Sequence, residues 1–385
     1  MMGRAATLVR GRFAALAPAD KYTVWVVLIL SAVGVVAVYS AISFLGETKL
    51  QGDTERLLLK HVVHVLAGLI VMAVFSIINY HTLARFSRIA LIGSMALLVA
   101  VQVVGVSAGG ADRWLRIGTV GFQPSDLARV ALILYVAVLL SRKQFYIKEF
   151  GRSFVPVMAW ILPAVILIGL EDLSTAAVVL LAVALMCMVG RASVLHLGGL
   201  LGVGVVLAVV LLLFSPNRAE RVESFLDVKI FPHTQETRVF DLQGEGYQAH
   251  QARIAIARGG LSGVGPGKSV QRDFLPAPYN DFIFAIIAEE YGIAGALVLL
   301  ALFVVLLFRG FLRIARHAPD PLGLFLAVGM TTAIVLYGTI HASVACGILP
   351  VTGLPMPFVS YGGTSLLATG SMVGILLNIS RQTRP

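Results

Sequence analysis

The residue best suited to acid–base chemistry is Asp281, at the point where a polar stretch becomes continuously apolar. It lies in FLPAPYNDFIFA at 274–285, after two prolines and Asn280. A carboxylate between a water-facing loop and an apolar helix can take a proton from a hydroxyl group that arrives from the water side. An aspartate near a helix start can also be an N-cap, but Asn280 could cap the same helix and leave Asp281 available for chemistry. The residues alone leave both interpretations open.

A second charged group comes earlier in the chain. Asp126 and Arg129 are spaced i, i+3 at the start of an apolar run, so they can pair on one helix face. Arg113 and Arg116, in DRWLRIG, lie just before them. Together these residues predict an outward-facing basic region suited to a pyrophosphate or a carboxylate. The alternative is a pair of arginines whose charged ends reach the interface beside Trp114.

Two more carboxylates, Glu289 and Glu290, follow Asp281 within the same apolar run. Helix geometry places Glu289 about 12 Å deeper than Asp281 and roughly 80° round the helix. That separation is too large for the close carboxylate pair of a glycoside hydrolase. Carboxylates inside a membrane are costly and usually face an interior cavity, so substrate binding and helix-to-helix hydrogen bonding both stay open for Glu289.

Two glycine-rich segments also carry candidate binding groups. GILPVTGLPMPFVSYGGTSLL at 347–367 has three prolines and four glycines, and such a broken helix entry is tolerated where it lines a cavity or packs against protein. Its candidate residues are Ser360, Tyr361, Gly362, Gly363, Thr364 and Ser365. GVGPGKS, which contains Lys268, is not a phosphate loop because Ser262 occupies the position of the first glycine. The sequence shows neither a metal-ligand spacing nor a nucleophile elbow.

The composition places these residues in a membrane protein. The chain of 385 residues is 58% hydrophobic and 13% charged, with a mean hydropathy of +0.89, whereas soluble domains are about one-quarter charged. Because backbone groups in lipid need internal partners, the fold class is all-α and polytopic. The net charge of +10 sits at the ends of apolar runs rather than in one patch, which argues against nucleic-acid binding. Cys187 and Cys346 are predicted at opposite membrane faces and imply no disulfide framework.

The apolar runs predict about ten transmembrane helices. They lie at about 22–46, 61–79, 89–107, 127–140, 154–170, 174–190, 194–214, 281–308, 321–345 and 357–379. Lysine and arginine cluster on alternate connections, which places both termini in the cytoplasm. The predicted organisation is a cytoplasmic tail (1–21), a membrane domain (22–380) with a large extracytoplasmic loop (215–280) between spans 7 and 8, and a second cytoplasmic tail (381–385). The helical spacing of 248–257 predicts an amphipathic helix within the loop, which could lie on the membrane surface.

The chain resembles the SEDS family of bacterial cell-wall proteins (FtsW, RodA and SpoVE). Four motifs in family order carry the resemblance: RWLRIGTVGFQPSD at 113–126, GYQAHQARIAIARGGLSGVG at 246–265, FLPAPYNDFIFAIIAEEYG at 274–292, and the 347–367 segment. The family's essential aspartate falls on Asp281 and its charged pair on Asp126 and Arg129. The sequence departs from the family at Ala277, where a glutamate is usual, and at Asn280, where a threonine is usual. GKSVQR at 267–272 and the EEYG ending resemble FtsW more than RodA.

The resemblance implies a peptidoglycan glycosyltransferase of the bacterial cytoplasmic membrane that polymerises lipid II for septal wall synthesis in cell division. For such a reaction we predict Asp281 as the catalytic base, and as substrate-binding groups Arg113, Arg116, Gln123, Asp126, Arg129, Lys268, Glu289 and residues 360–365. No certain cofactor follows; a divalent cation (Mg²⁺ or Mn²⁺) would offset pyrophosphate charge if one binds. The implied partners are lipid II, the undecaprenyl-pyrophosphate-linked glycan, a class B penicillin-binding protein that crosslinks the strand, and other membrane proteins of the division machinery.

Other functions stay open at the level of sequence. The chain could be a polymerase for cell elongation, as RodA is. It could flip lipid II across the bilayer, with Arg129, Glu289 and Glu290 lining the path. It could be a non-catalytic scaffold for a cell-wall synthase, with 215–247 as the docking surface. An ion-coupled transporter is disfavoured because no internal inverted repeat is evident.

Overall fold

Long apolar helices make up most of the structure, a computed structural model that describes residues 18–48, 54–104, 106–108, 111–117, 120–228, 230–231 and 245–383. The elements in chain order are α1 (Lys21–Thr48), α2 (Thr54–Ile77), α3 (Tyr80–Val104), β1 (Val106–Ala108), β2 (Ala111–Ile117), β3 (Val120–Phe122), α4 (Pro124–Lys143), α5 (Val155–Glu171), α6 (Leu173–Val189), α7 (Val194–Leu213), α8 (Pro216–Leu226), α9 (Glu245–Gly259), α10 (Ile283–Phe308), α11 (Pro321–Ala345) and α12 (Gly363–Gln382).

Every predicted apolar run overlaps one of these helices in sequence. In the described part of the chain, eight of them are long and apolar enough to cross a membrane: α1, α2, α3, α4, α7, α10, α11 and α12. The two others, α5 and α6, have 17 residues each, slightly less than the length that usually spans the hydrocarbon layer. The all-helical membrane architecture is therefore confirmed, while the count of ten spans stays a prediction.

Several helix ends meet on one face of the bundle. The Asp20 amide, just before α1, donates to Ser380 Oγ near the end of α12 at 3.0 Å. The Asp20 carboxylate pairs with Arg309, directly after α10. Tyr80, at the start of α3, donates to Asp320, which caps α11. All these ends were predicted to be cytoplasmic, so the contacts agree with an even number of crossings between the two ends.

Helices α4, α11 and α12 form the interior of the bundle, since about four-fifths of each is buried. Helix α2, at the edge, packs closely on α12 through glycines. A Cβ on Gly370 would lie 2.3 Å from the Gly68 carbonyl oxygen, and one on Gly374 would lie 2.6 Å from the Met72 carbonyl oxygen. Small residues that let two backbones approach in this way fix one helix against its neighbour.

A small antiparallel sheet connects α3 to α4, and the all-helical prediction did not include it. The strand order is β1-β2-β3, with Val106 opposite Trp114 and Leu115 opposite Phe122. Trp114 lies over Gly121, where a Cβ would come within 3.1 Å of the indole. The sheet satisfies the backbone groups of a connection that is too polar and glycine-rich to enter the membrane as a helix.

The described part of the large loop contains the α-helices α8 and α9. The predicted helix at 248–257 is confirmed as α9, and its small residues pack on protein. Ala252 and Ala255 are fully buried, and Gly259 lies so close to α10 that a Cβ would come within 2.0 Å of the Ala288 carbonyl oxygen. The stripe of small residues packs on protein because only a surface without large side chains can approach another helix so closely.

Helix α10 is interrupted at Gly292, whose φ of 69° and ψ of −174° are not helical. In an uninterrupted helix the carbonyls of Glu289 and Glu290 would accept the amides of Ile293 and Ala294. Here those carbonyls accept from Val264 and Gly265 at 3.0 Å, and those amides donate to Gly260 and Leu261 at 2.9 and 3.3 Å. The loop segment 260–265 is thus inserted into the hydrogen-bond ladder of the helix. Its glycines allow this close backbone packing, since a Cβ on Gly263 would lie 2.1 Å from the Glu290 carbonyl oxygen.

Candidate functional site

Asp281 lies in a half-buried turn directly before α10. The amides of Asn280 and Asp281 both donate to the Ala277 carbonyl at 3.3 Å, which closes the turn. The N-cap position of α10 is Phe282, and no side chain makes a cap hydrogen bond there. The interpretation of Asp281 or Asn280 as the N-cap is therefore wrong, because the helix begins later than either residue requires.

The segment before α12 is joined to the Asp281 turn. Ser360 Oγ donates to the Asn280 carbonyl at 2.8 Å and accepts the Met356 amide at 2.8 Å. The Tyr361 amide donates to the Tyr279 carbonyl at 3.0 Å. Two of the predicted site residues, Ser360 and Tyr361, therefore hold the backbone on the N-terminal side of Asp281, although 80 residues separate them in sequence.

Two histidines of α2 and two tyrosines form a cluster beside this turn. The Tyr361 ring stacks on His61, with centroids 5.5 Å apart, and meets His64 edge-on at 6.1 Å and Tyr279 edge-on at 5.6 Å. Burial, with the negative charge of Asp281 as a smaller cause, raises the pKa of Tyr279; burial also raises the pKa of Tyr361, so both phenols stay protonated near neutral pH. Sequence reasoning missed His61, His64 and Tyr279, although two histidines spaced i, i+3 in an apolar run were a usable signal.

The predicted pair of Asp126 and Arg129 is present and lies inside the bundle. Arg129 Nη2 is 3.1 Å from Asp126 Oδ1, and Arg129 is fully buried. Thr364 Oγ1 donates to the same carboxylate at 2.7 Å, and Arg129 Nη2 lies 3.4 Å from Ser365 Oγ. The guanidinium lies 4.2 Å from the centre of the Tyr337 ring. The expectation that Arg129 contributes to an outward-facing basic region is wrong, because its charge is satisfied within the protein between α4, α11 and α12.

Glu289 holds the loop, and Glu290 holds both the loop and the membrane helix α1. Glu289 is fully buried and accepts the Val270 and Gln271 amides at 3.1 and 3.2 Å, as well as the Ser269 hydroxyl. Glu290 accepts the Ser40 hydroxyl of α1 and, at 3.4 Å, the Ser269 amide.

Lys268, by contrast, is exposed at the tip of this loop. The contacts of Glu289 and Glu290 fix the loop that carries Lys268 to the part of α10 that follows Asp281.

The structure thus brings the predicted residues into three neighbouring groups. Ser360 and Tyr361 lie against the turn of Asp281; Asp126 and Arg129 lie with Thr364 and Ser365; Glu289 lies under the loop of Lys268.

The structure gives less detail on the remaining predicted site residues. Arg113 and Arg116 lie on β2, and their side chains are outside the described residues. Gln123 occupies the N-cap position of α4 without a side-chain cap bond, and Gly362 the corresponding position of α12. In the described ranges, no three His, Cys, Asp or Glu side chains come together as a metal site.

Comparisons with known proteins cover nearly the whole chain. A family model described as "Cell cycle protein" (FtsW, RodA, SpoVE) matches residues 21–385. Stage V sporulation protein E of Bacillus subtilis is 37% identical over 95% of this chain and 98% of its own length. A probable peptidoglycan glycosyltransferase FtsW of Aliivibrio salmonicida is 33% identical over 95% of this chain and 90% of its own length.

Solved structures show the same fold. A chain of a peptidoglycan synthase complex, described as coordinating polymerization and crosslinking, superposes with a TM-score of 0.75 at 28% identity, over 94% of this chain and 98% of its own. The rod shape determining protein RodA of Thermus thermophilus gives a TM-score of 0.69 at 25% identity, over 95% of this chain and 98% of its own. With its membrane helices and these matches, the chain is a multi-pass cytoplasmic-membrane protein that belongs to the SEDS family of FtsW, RodA and SpoVE.

Proposed function

We propose that this protein is a peptidoglycan glycosyltransferase that polymerises lipid II at the outer face of the cytoplasmic membrane. The observation that carries the proposal is the position of Asp281. Its carboxylate lies half-buried in a turn between the loop and α10, and Ser360 and Tyr361 hold the backbone of that turn. A base placed between water and lipid suits a substrate whose sugar is polar and whose anchor is a long lipid.

The chemistry needs one carboxylate. Asp281 accepts the proton of a sugar 4-hydroxyl, and the resulting oxygen attacks the anomeric carbon of a second lipid-linked sugar. The new glycosidic C–O bond forms as the bond to undecaprenyl pyrophosphate breaks, and the electron pair leaves with the pyrophosphate. Because pyrophosphate is a good leaving group, a second carboxylate as general acid is not required. This agrees with Glu289 being committed to loop amides rather than directed to Asp281.

The loop supplies positive charge near the leaving group. Lys268 is exposed. Arg258 Nε lies 3.7 Å from Glu289 Oε1, and 44% of the Arg258 side chain is exposed. Both can approach the pyrophosphate and stabilise its developing charge. A divalent cation would take Asp281 and pyrophosphate oxygens as ligands, as Mg²⁺ commonly does with one or two carboxylates and a substrate phosphate. Its contribution would be the same neutralisation of charge.

We assign the protein to septal wall synthesis during division, in association with a class B penicillin-binding protein. The support is that relatives are named FtsW, and that one solved relative is part of a synthase complex that coordinates polymerization and crosslinking. A flippase with Arg129, Glu289 and Glu290 along its path is less well supported. All three side chains are buried and paired with protein groups, so none of them lines an open route.

The test is glycan formation from labelled lipid II by the purified protein, with and without its transpeptidase partner. Asp281→Ala is expected to abolish strand formation while the thermal unfolding profile stays unchanged. Asp273→Ala is the matched control, since this exposed carboxylate lies on the same loop and pairs only with Arg272 among the contacts described. Full turnover by Asp281→Ala, or lipid II translocation in liposomes without any strand formation by wild type, would overturn the proposal.

A further inference from the structure

The cluster formed by His61, His64, Tyr279 and Tyr361 contains buried polar atoms that the proposed mechanism does not use. His61 is fully buried, and neither of its ring nitrogens has a hydrogen-bond partner among the described residues. His64 Nδ1 is also buried without a partner there. His64 Nε2 faces the start of α12, where a Cβ on Gly363 would come within 3.2 Å of it.

Such an arrangement is costly for folding alone. Buried polar groups in folded proteins nearly always have partners, because a buried donor or acceptor without one loses its hydration without compensation. A phenylalanine in place of His61 could make the same ring stack on Tyr361 without that cost. Packing therefore accounts for the ring of His61 but not for its two nitrogens.

The position of the cluster connects these nitrogens to the reaction. The Tyr361 ring contacts both His64 and Tyr279, and Tyr279 precedes Asp281 by two residues. Close glycine contacts between α2 and α12 fix the histidines relative to Tyr361. A molecule whose hydroxyl reaches Asp281 would therefore lie along this cluster.

We propose that His61 and His64 form a polar binding wall for the sugar of the lipid-linked substrate beside Asp281. This inference rests on the proposed function and assigns two further substrate-binding residues to it. His64, half-buried at the rim, meets the sugar first. His61 is reached when the Tyr361 ring rotates about its side-chain bonds, a common adjustment when a ligand binds.

The chemistry of the wall matches a sugar rather than a pyrophosphate. A neutral imidazole offers one donor and one acceptor, and sugar hydroxyl and amide groups need both. A pyrophosphate only accepts hydrogen bonds and is usually bound by arginine or lysine. The cluster is built from imidazole and phenol groups, and the loop cations described above lie on other elements.

The experiment measures binding and turnover separately. His61→Phe and His64→Phe keep an aromatic ring and lose both nitrogens, whereas His64→Asn keeps polar atoms. His317→Phe is the matched control, because this exposed imidazole lies in the connection between α10 and α11. Arg309 and Asp320, at the two ends of that connection, contact Asp20 and Tyr80 on the face of the bundle opposite the cluster. Fluorescent lipid II binding to the protein in nanodiscs is compared with binding of undecaprenyl pyrophosphate, which has the same anchor without the sugar. Strand formation is measured in parallel.

Each phenylalanine variant is expected to weaken lipid II binding about tenfold, the effect of one lost hydrogen bond, and to leave undecaprenyl pyrophosphate binding unchanged. KM should rise with little change in kcat, His64→Asn should restore part of the affinity, and the melting temperature of His61→Phe should stay the same or rise. Unchanged lipid II affinity, or equal loss for both lipids, would overturn the inference. If wild type binds lipid II but makes no strands, the proposed function fails while the binding comparison still decides the role of the histidines.

Discussion

Removing the carboxylate of Asp126 should strongly destabilise the protein, because it leaves the Arg129 guanidinium buried without its counter-ion. Arg129 is 0% exposed and Asp126 7% exposed, so water cannot replace the lost partner. Breaking a buried ion pair by removing one partner typically costs about 3–5 kcal/mol. Arg129 keeps weak contacts to Ser365 and Thr369 and its position over the Tyr337 ring, which offset part of the cost. We therefore expect Asp126→Ala to cost about 3 kcal/mol, near the lower limit of that range.

Thermal unfolding in detergent, followed by the fluorescence of the three tryptophans, measures this effect. A loss of this size should lower the unfolding midpoint by about 4 °C. The control is the double variant Asp126→Ala with Arg129→Met, which removes both charges and replaces the guanidinium with an apolar side chain of similar length. It should recover most of the lost stability, since well-packed apolar residues often substitute for a buried pair without cost.

Equal destabilisation by the single and double variants would refute the counter-ion argument, as would a single variant that unfolds at the wild-type temperature. Strand formation by the double variant answers a different question. If Asp126 and Arg129 act only through packing, a stable double variant should still polymerise lipid II. A stable but inactive double variant would support the sequence-based prediction that the pair binds substrate.

Three further perturbations test other parts of the structure. Glu289→Ala leaves two loop amides and a hydroxyl without their acceptor, so limited proteolysis should cut within 260–273 and strand formation should fall at least tenfold; an uncut loop would contradict this role. Gly292→Ala should lower the unfolding temperature by several degrees, because the residue has φ of 69° and its Cβ would lie 2.3 Å from a loop carbonyl, whereas Gly93→Ala, with nothing within 4 Å, should be neutral. The pKa of Asp320 is lowered below its ordinary value of 3.8: burial opposes the shift, but bonds from His81, the Gly323 amide and Tyr80 outweigh it. The stability that ionised Asp320 contributes to the fold should be complete above about pH 5 and lost as the pH falls below about 4. Asp320→Asn should reduce this acid sensitivity, which unfolding curves at about pH 3 to 6 would measure.

The sequence was sufficient to predict the membrane helices and the position of Asp281 at the start of one of them; its catalytic role stays a prediction. Apolar runs of spanning length have one dominant physical solution in lipid, so every run contains a helix in the structure. Asp281 was recognisable because it marks a sharp change in polarity and matches a family motif.

Features that depend on distant contacts were not predictable. A glycine in an apolar run is compatible with a continuous helix, so nothing local shows that 260–265 inserts at Gly292. The same holds for His61 and Tyr361, which are 300 residues apart in sequence and meet only because α2 packs on α12. The burial of Arg129 also follows from three helices together, since an i, i+3 pair is equally possible on an exposed helix face.

The interruption at Gly292 divides α10 into two mechanical parts. The first, 283–291, shares its backbone hydrogen bonds and the Glu289 carboxylate with the loop, so it moves with residues 260–271 as one body. The second, 293–308, continues as a membrane helix, and its first two amides donate to Gly260 and Leu261, so the loop holds both parts together where the helical hydrogen bonds are interrupted. A tilt of residues 293–308 in a bilayer of different thickness would therefore be passed to the loop as well as to the turn that carries Asp281.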